Sequence, residues 1–584
     1  MASTCTSSSA ACSRRTIPRP GWCTTAARRA AVVGFIALVA AGAAVAPRSA
    51  SPRFYPDDPL WTDDDRAMDA SKATPIEDSD GYDFVVNTFG HPGELRDVRA
   101  LNVNTVDEVP DSSWFTNRIG RNQLAIPDIV KGPDRVERPT LEGWRVSAGK
   151  GSGLQPGFRM TDPAGQTYQV EVDPPSNPEL ASGVEIIGTA FYHAIGYHVV
   201  DVYLAELDRE ALVIAPDATI RDPLNGRRRR LKKYDLDSVF RRAARLENGR
   251  YRVLVSRFAP GKPLGNFRYY GRRPDDPNDV VPHEHRRELR GARVFGAWLN
   301  HDDSRGINSL DMLETTGGRG WIKHYMFDFG SILGSGTIYA QRHRPGNEYI
   351  FEHKPGWLTL ATLGLYVRPW MTIDYPRVPR SVGRLEAERF DPLEWKPEYP
   401  NPAFDNMRPD DAFWAARIVS KFSDDAIRRI VEKSAYSDPA ATDYMTKTII
   451  TRRDKVVAVW INQVCPIVDT ALSPQGTLTF KNAAVDAKAA TAPDRYALQW
   501  FRFDNATDQR TPVGEPMIVS NETARAPEAA MLREFVGVSV TASNPRHAGW
   551  ATPSTFFFRR GGLGGSVVWS LVGVERGAAQ SRAK

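Results

Sequence analysis

Cysteine is almost missing from this chain of 584 residues: Cys5, Cys12 and Cys23 sit near the amino terminus, and Cys465 is the fourth and last. A single thiol in the body makes no intramolecular bridge and cannot be half of a cysteine-rich zinc site, so stability has to come from packing. Acids are missing from one place. Residues 1–46 contain Arg14, Arg15, Arg19, Arg28 and Arg29 but no Asp or Glu. With those arginines set aside, the formal charge of +6 reduces to 71 basic residues against 70 acidic ones. A nearly neutral body does not attract a polyanion through its overall charge, and no nucleic-acid partner is expected. Hydrophobic residues at 41% and charged residues at 25% exclude a disordered tail protein, a collagen and a polytopic membrane protein. The length suits about three domains of roughly 100–200 residues each.

The arginines lead into Ala30–Ala46, seventeen residues without a charge. A basic flank, an apolar run and a small-residue end (Ala44-Val45-Ala46, then Ser49-Ala50) together make residues 1–50 an export signal. The run is close to the shortest that spans a bilayer, so an uncleaved anchor is the alternative, and Pro47 weakens cleavage after Ala46. Either version delivers the body to the periplasm or cell envelope.

Residues 51–139 are rich in Asp, Pro and Gly and are expected to be an irregular lead-in across the surface. Their acidic runs, such as Asp63-Asp64-Asp65, lack the central Gly and closing Glu of a calcium loop. From Trp144 the pattern becomes alternating, with strands over 144–148, 158–160 and 167–172. The glycine-rich stretch Gly149-Lys150-Gly151-Ser152-Gly153 falls in the first hairpin. Glu179 to Ile195 has helical periodicity and stops at Gly196. The one dense basic run of the body, Gly226–Lys233, is expected to be a solvated loop before a helix capped by Asp235. Glu284 to Asn300 is the next helix.

That helix runs into His301-Asp302-Asp303-Ser304-Arg305-Gly306-Ile307-Asn308. After a Gly317-Gly318 turn, an apolar strand ends in Asp328-Phe329-Gly330. The spacing H-x-D-x-x-x-x-N, a hairpin, then D-F-G resembles the catalytic pattern of protein kinases. The preceding order of Gly-rich hairpin, third strand, helix, further strands and long helix is similar to the compact atypical branches, of HipA type and spore-coat type. The chain also resembles a family of uncharacterised exported bacterial proteins. That similarity lies in the run Asn102–Gly120, which contains Asp111-Ser-Ser-Trp-Phe-Thr-Asn117, and in the run Val281–Leu289; it supplies no activity.

The kinase resemblance implies a set of roles. Asp303 would orient the acceptor hydroxyl, Asn308 and Asp328 would hold Mg²⁺ or Mn²⁺, and His301 would brace the loop. ATP or another nucleotide would lie under Gly149, Gly151 and Gly153. The third-strand position where a kinase carries its phosphate-gripping lysine falls at Glu171 here. Lys150 is the replacement cation the resemblance suggests, with Glu185 as its helix carboxylate and Glu179 as the fallback. An alternative use of the same region is a hydrolytic metal site built from His283, His285, His301, Asp302 and Asp303. About 16 helical residues between the two groups span roughly 24 Å, which one unbroken helix cannot close onto one metal.

Residues 340–408 are dense in Trp, Tyr and Pro, and an extended segment pinned by its aromatics is favoured over a carbohydrate-binding face. Helices follow over 410–422, 424–433 and 438–467. From Pro474 short strands take over, separated by turn residues. The expectation is therefore an α+β protein. A two-lobed protein-kinase-like domain covers 140–468 (N-lobe 140–265, C-lobe 266–468), and a small all-β sandwich covers 474–576. The functional expectation is an exported metal- and nucleotide-dependent phosphotransferase acting on an unknown protein or small-molecule acceptor. The β domain would contact an envelope polymer. A catalytically lapsed kinase-like binding module is the alternative. An alkaline phosphatase fusion placed after Leu60 is expected to be active in bacteria, and an inactive fusion overturns the export assignment.

Overall fold

Period-two alternation builds the first sheet. In Thr167–Val172 (β3) the residues Tyr168, Val170 and Val172 are buried together, and Thr167, Gln169 and Glu171 point to the opposite face. The computed structural model describes residues 51–577 apart from 135–138, 152, 223–224 and 563–566. The apolar run at 30–46, its arginines, Cys5, Cys12, Cys23 and Ser152 lie outside the described residues.

Arg145–Gly149 (β1), Gly157–Thr161 (β2) and β3 form an antiparallel meander. The helix Leu180–Ile195 (α1) follows, then Val202–Leu207 (β4), Val213–Arg221 (β5), Arg228–Arg230 (β6), the helix Lys233–Phe240 (α2) and Tyr251–Arg257 (β7). The strand order is β4-β7-β3-β2-β1-β5-β6, antiparallel except for the β1–β5 pair. One face buries Val170, Val172, Val253 and Val255 against Leu236 and Phe240 of α2. The other face packs Leu254 and Val202 against Ile186 of α1. Because β3 and β7 pair Glu171 with Leu254, Glu171 stands on the α1 side.

The basic run departs from expectation in part. Residues 228–230 become the edge strand β6 and Arg229 pairs with Asp222 and Asp235, while Arg227, Arg228, Arg230, Lys232 and Lys233 are exposed to solvent as expected. Asp235 sits one turn inside α2 and accepts from the backbone N–H of Lys232, which is the cap residue.

The helix Arg287–Leu299 (α3) carries the loop 300–308 into the hairpin Ser309–Thr316 (β8) and Arg319–Met326 (β9). Beyond it come His353–Ala361 (α4), Pro409–Ser420 (α5), Asp424–Glu432 (α6) and Pro439–Trp460 (α7). Helix α7 ends at Trp460, before its expected limit at 467, and Ile467–Leu472 is a strand instead. That strand pairs with Thr477–Asn482, while Arg495–Asp504, Phe535–Ser543, Ser554–Gly561 and Val568–Arg576 form a second antiparallel sheet. The rings of Phe480 and Tyr496, 5.0 Å apart, join the two. One apolar core runs from α1 through α3, α5 and α7 into these strands.

The lead-in is irregular, but it does not lie on the surface throughout. Phe54 packs against Phe503 and Phe557 on the second C-terminal sheet. Val109, Trp114 and Phe115 are buried among α1 and α3. The runs Asn102–Gly120 and Val281–Leu289 are brought together here. Asn102 accepts from the backbone N–H of Arg287 at 2.8 Å, and Trp114 lies 4.6 Å from the His283 ring and under the Arg286 guanidinium. Arg287, fully buried, meets Asp107 at 2.9 Å, Asp410 at 2.8 Å and Asp411 at 2.9 Å. Burial pulls the Asp107 carboxyl up, but Arg287, Arg99 and Arg576 outweigh it and hold it below the usual range.

Removing one partner of such a set leaves uncompensated charge in the interior. Arg287→Ala is expected to lower unfolding free energy by about 3–5 kcal/mol, read as a fall in the urea midpoint at neutral pH. An unchanged midpoint would show that the three carboxylates are held by other groups.

Candidate functional site

The site is built where α1 crosses the loops that follow α3 and β9. Ala181, Glu185, Gly188 and Tyr192 recur at helical spacing, so α1 presents them on one face. That face lies on residues 328–332. A Cβ at Gly188 would stand 2.7 Å from the Phe329 Cβ and 2.5 Å from Ile332, so only glycine lets the helix come this close. A Cβ at Gly330 would lie 3.7 Å from both the Glu185 and the Asp328 carboxylate, which shows how closely the two acids flank that glycine. Tyr192 stacks on Phe329 at 4.6 Å, and its hydroxyl meets His301 Nδ1 at 2.7 Å.

The loop after α3 starts with Asn300 in the left-handed region, its side chain held by Trp395 and Gln341. His301 follows, buried. Desolvation, with a smaller push from Arg305, takes its imidazole down to about 3, which favours the neutral ring. Asp302 turns inward to Gln341, and burial with Asp303 and Glu398 nearby pushes its carboxyl well up. Asp303 faces the other way. Its carboxylate accepts from Ser331 Oγ at 3.0 Å and pairs with Arg305, and its carbonyl accepts from Asn308 Nδ2 at 2.9 Å. Desolvation raises the Asp303 carboxyl while Arg305, Asn308 and Ser331 work against the shift. Arg305 also reaches Glu398 at 3.1 Å.

From the sheet, Lys150 bends down at the end of β1. Its ammonium donates to the Gln155 carbonyl at 2.9 Å and forms an ion pair with Glu171. Gly149 ends the strand opposite Phe158, Gly151 has open space around it, and Gly153 adopts φ +87 close to the Lys150 side chain. Four carboxylates therefore lie in one cluster: Glu171, Glu185, Asp303 and Asp328. Burial first, then Asp328 and Glu171, push Glu185 well above the ordinary glutamate range. Asp328, in the left-handed region at φ 63, is exposed to solvent at the edge of this cluster. Its carboxyl is nevertheless pushed up to about 6 by desolvation and by Glu171 and Asp303, against Lys150 and Arg305.

These acids repel one another, which is the electrostatic setting that a cation relieves. The donors that fit one are hard oxygens: the Asp328 carboxylate and the Asn308 amide oxygen, whose amide nitrogen is already used on Asp303. Two protein ligands with the rest water or phosphate suit Mg²⁺ or Mn²⁺. Among the described residues no group of three His, Cys, Asp or Glu is arranged to hold a metal ion by itself.

Lys150, Glu185, His301, Asp303, Asn308 and Asp328 are thus brought together, with Gly149, Gly151 and Gly153 on the loop that carries Lys150. Glu179, the fallback, accepts from the Ser437 backbone N–H at 2.9 Å and is committed elsewhere. The alternative histidine set is not assembled. His283 is held by Asp279 at 2.7 Å, His285 by Arg290 at 2.6 Å and His301 by Tyr192. Sequence reasoning missed Arg305, Ser331, Glu398 and Tyr192. Arg305 carried a signal, as the one cation in a loop with two adjacent acids; the others are distant in sequence and carried none.

In comparisons with known proteins, no family model and no curated sequence matches this chain.

A carboxyl raised in the folded state makes folding take up a proton, so its contribution to stability is lost as pH rises toward the folded value. Glu185→Gln keeps an acceptor for the loop backbone without the charge. It is expected to raise the melting temperature of the ligand-free protein by about 1–3 °C at pH 8, with a smaller gain at pH 5. A gain that is larger at pH 5 would reverse the assignment.

Proposed function

We propose that this protein is an exported, metal- and nucleotide-dependent phosphotransferase of kinase-like fold. The observation that carries the reading is the convergence of Lys150, Glu185, Asp303, Asn308 and Asp328 from four separate segments into one cluster. Support also comes from the sheet order β1-β2-β3-β7-β4, with α1 between β3 and β4 in sequence and packed on the Glu171 face. That is the arrangement expected of a kinase-like upper lobe, with the loops after α3 and β9 beneath it.

In this reading each side chain has a task. Asp303, steadied by Ser331 and Arg305, accepts the proton of the acceptor hydroxyl as its oxygen bonds to the terminal phosphorus of the nucleotide and the bond to the leaving diphosphate breaks. Asn308 and Asp328 hold Mg²⁺ or Mn²⁺, which when bound neutralises phosphate charge. Backbone N–H groups of the Gly149–Gly153 loop cover the phosphates. His301 and Tyr192 position the loops without touching the reactants. Lys150 is the cation for the phosphates, and it has to exchange Glu171 for them. The ion pair of Lys150 is with Glu171 and not with the expected Glu185, which holds the backbone of Phe329 and Gly330 instead.

A second reading, a non-catalytic envelope module on the same scaffold, is favoured by one observation. Glu171 occupies the sheet face toward α1 and holds Lys150 in an ion pair. The acceptor is an unidentified protein or small molecule, the C-terminal strands are assigned to an envelope polymer, and the Ala30–Ala46 run is assigned to the membrane if uncleaved.

A thermal-shift titration with ATP and Mg²⁺ or Mn²⁺ separates the readings. A metal-dependent rise of a few degrees, lost in Asp328→Ala, is expected. No rise with any nucleotide and metal removes the enzyme reading. Lys150→Ala is expected to lower autophosphorylation or phosphate release by about 10²-fold or more, as for loss of one charge-stabilising contact. Asp303→Asn is expected to lower turnover while leaving the thermal shift in place. If Lys150→Ala equals wild type, the relocated-lysine assignment fails.

A further inference from the structure

The segment after the site holds an apolar surface that the proposed chemistry does not use. None of the residues of α4 is buried. Within the same projection Trp357 is 67% exposed, Leu360 63%, Leu363 91%, Leu365 83% and Val367 62%. Isolated exposed leucines are ordinary, but a continuous cluster of this kind marks a contact surface. The projection is ordered from within. At its neck the buried Glu348 accepts from Trp370 Nε1 at 2.6 Å and pairs with Arg368, and Arg368 donates to Thr359 at 3.3 Å. The Gly364 N–H returns to the Thr359 carbonyl at 2.8 Å. The apolar surface continues at its base, where Phe351 meets the exposed Phe89 at 5.1 Å.

We propose that this projection, residues 353–371, inserts into the interfacial layer of an anionic lipid bilayer. Charge selects that occupant. From His353 to Ile373 there is no Asp or Glu; of the bordering acids Glu352 is paired with Lys396 and Asp374 is exposed, against the exposed cations Lys354 within the stretch and Arg342 and Arg377 on its flanks. An apolar tip with aromatic residues and a basic collar is the chemistry of an element lying in the headgroup boundary. A second copy of the chain would have to present acids to that collar, and the projection has none to offer in a self-complementary pairing. The amino-terminal reading agrees, since the Arg28-Arg29 flank and the Ala30–Ala46 run are expected to bring this chain to a membrane. One weak attachment is reversible, and two together hold. Among the described residues no helix is long and apolar enough to cross a membrane, so the contact is one of surface insertion. It stands apart from the phosphotransfer reading, and either can fail alone.

The test is local, so that binding through the amino terminus does not obscure it. Hydrogen exchange of the full chain is followed with and without vesicles of phosphatidylcholine plus phosphatidylglycerol. Amides over 357–371 are expected to slow by about tenfold in the vesicle-bound protein. The variant L363E/L365E, altered only at exposed positions, is expected to keep its lipid-free exchange rates in that segment when vesicles are added. Its nucleotide thermal shift is expected to match that of wild type. Unchanged exchange in the vesicle-bound wild type, or no vesicle binding at all, overturns the proposal. Slowing that follows protein concentration without lipid overturns it in favour of a second copy.

Discussion

The guanidinium of Arg287 is the point on which the rest of the structure depends. It stands at the start of α3 with three carboxylates around it, one from the lead-in and two from the start of α5. Asp107 extends the set to Arg576, on the last strand, at 3.4 Å. Desolvating these charges costs several kcal/mol per ion, so the gain comes only when all of them are present together. The lead-in, the long helix and the C-terminal strands are therefore interdependent, although more than a hundred residues separate each from the next. Because α3 delivers residues 301–308 to the site, the position of the candidate base follows from an ion set at the opposite end of the helix.

The site itself is arranged against stability. Four acids cluster with two cations, and each cation is already engaged, Lys150 by Glu171 and Arg305 by Asp303 and Glu398. Raised carboxyls at Glu185 and Asp328 are the cost of that crowding. Such frustration is expected where a positive ligand is to be received, and it persists because the packing of Tyr192, Phe329 and His301 leaves the loops no other course.

Elements with local periodicity were legible in advance. The β1–β3 meander, α1 with its Gly196 stop and the Ser423-capped α6 follow from alternation, helical spacing and cap residues. The H-x-D-x-x-x-x-N and D-F-G spacings pointed to Asp303, Asn308 and Asp328, and the lysine in the glycine-rich loop to Lys150. Other features were illegible because they depend on what meets at a distance. The burial of Val109, Trp114 and Phe115 was hidden by a composition that reads as solvated loop. In the aromatic segment, Trp395, Tyr399 and Phe404 are pinned inward as expected, while Trp357 stands out in the projection. The same residue types took both fates.

The amino-acid sequence by itself determined the near-neutral body, the basic and apolar amino terminus, the packing-based stability that follows from a lone body cysteine, and the order of strands and helices. These depend on composition and on periods of two and 3.6 residues, which are properties of neighbours along the chain. Only the tertiary structure decided that Glu171 faces α1 and pairs with Lys150, that His283 and His285 serve the fold, and that α4 carries its apolar residues outward. Each of these is set by which segments are desolvated against one another. A charge or a ring takes its role from the groups that replace its water, and those come from far along the chain.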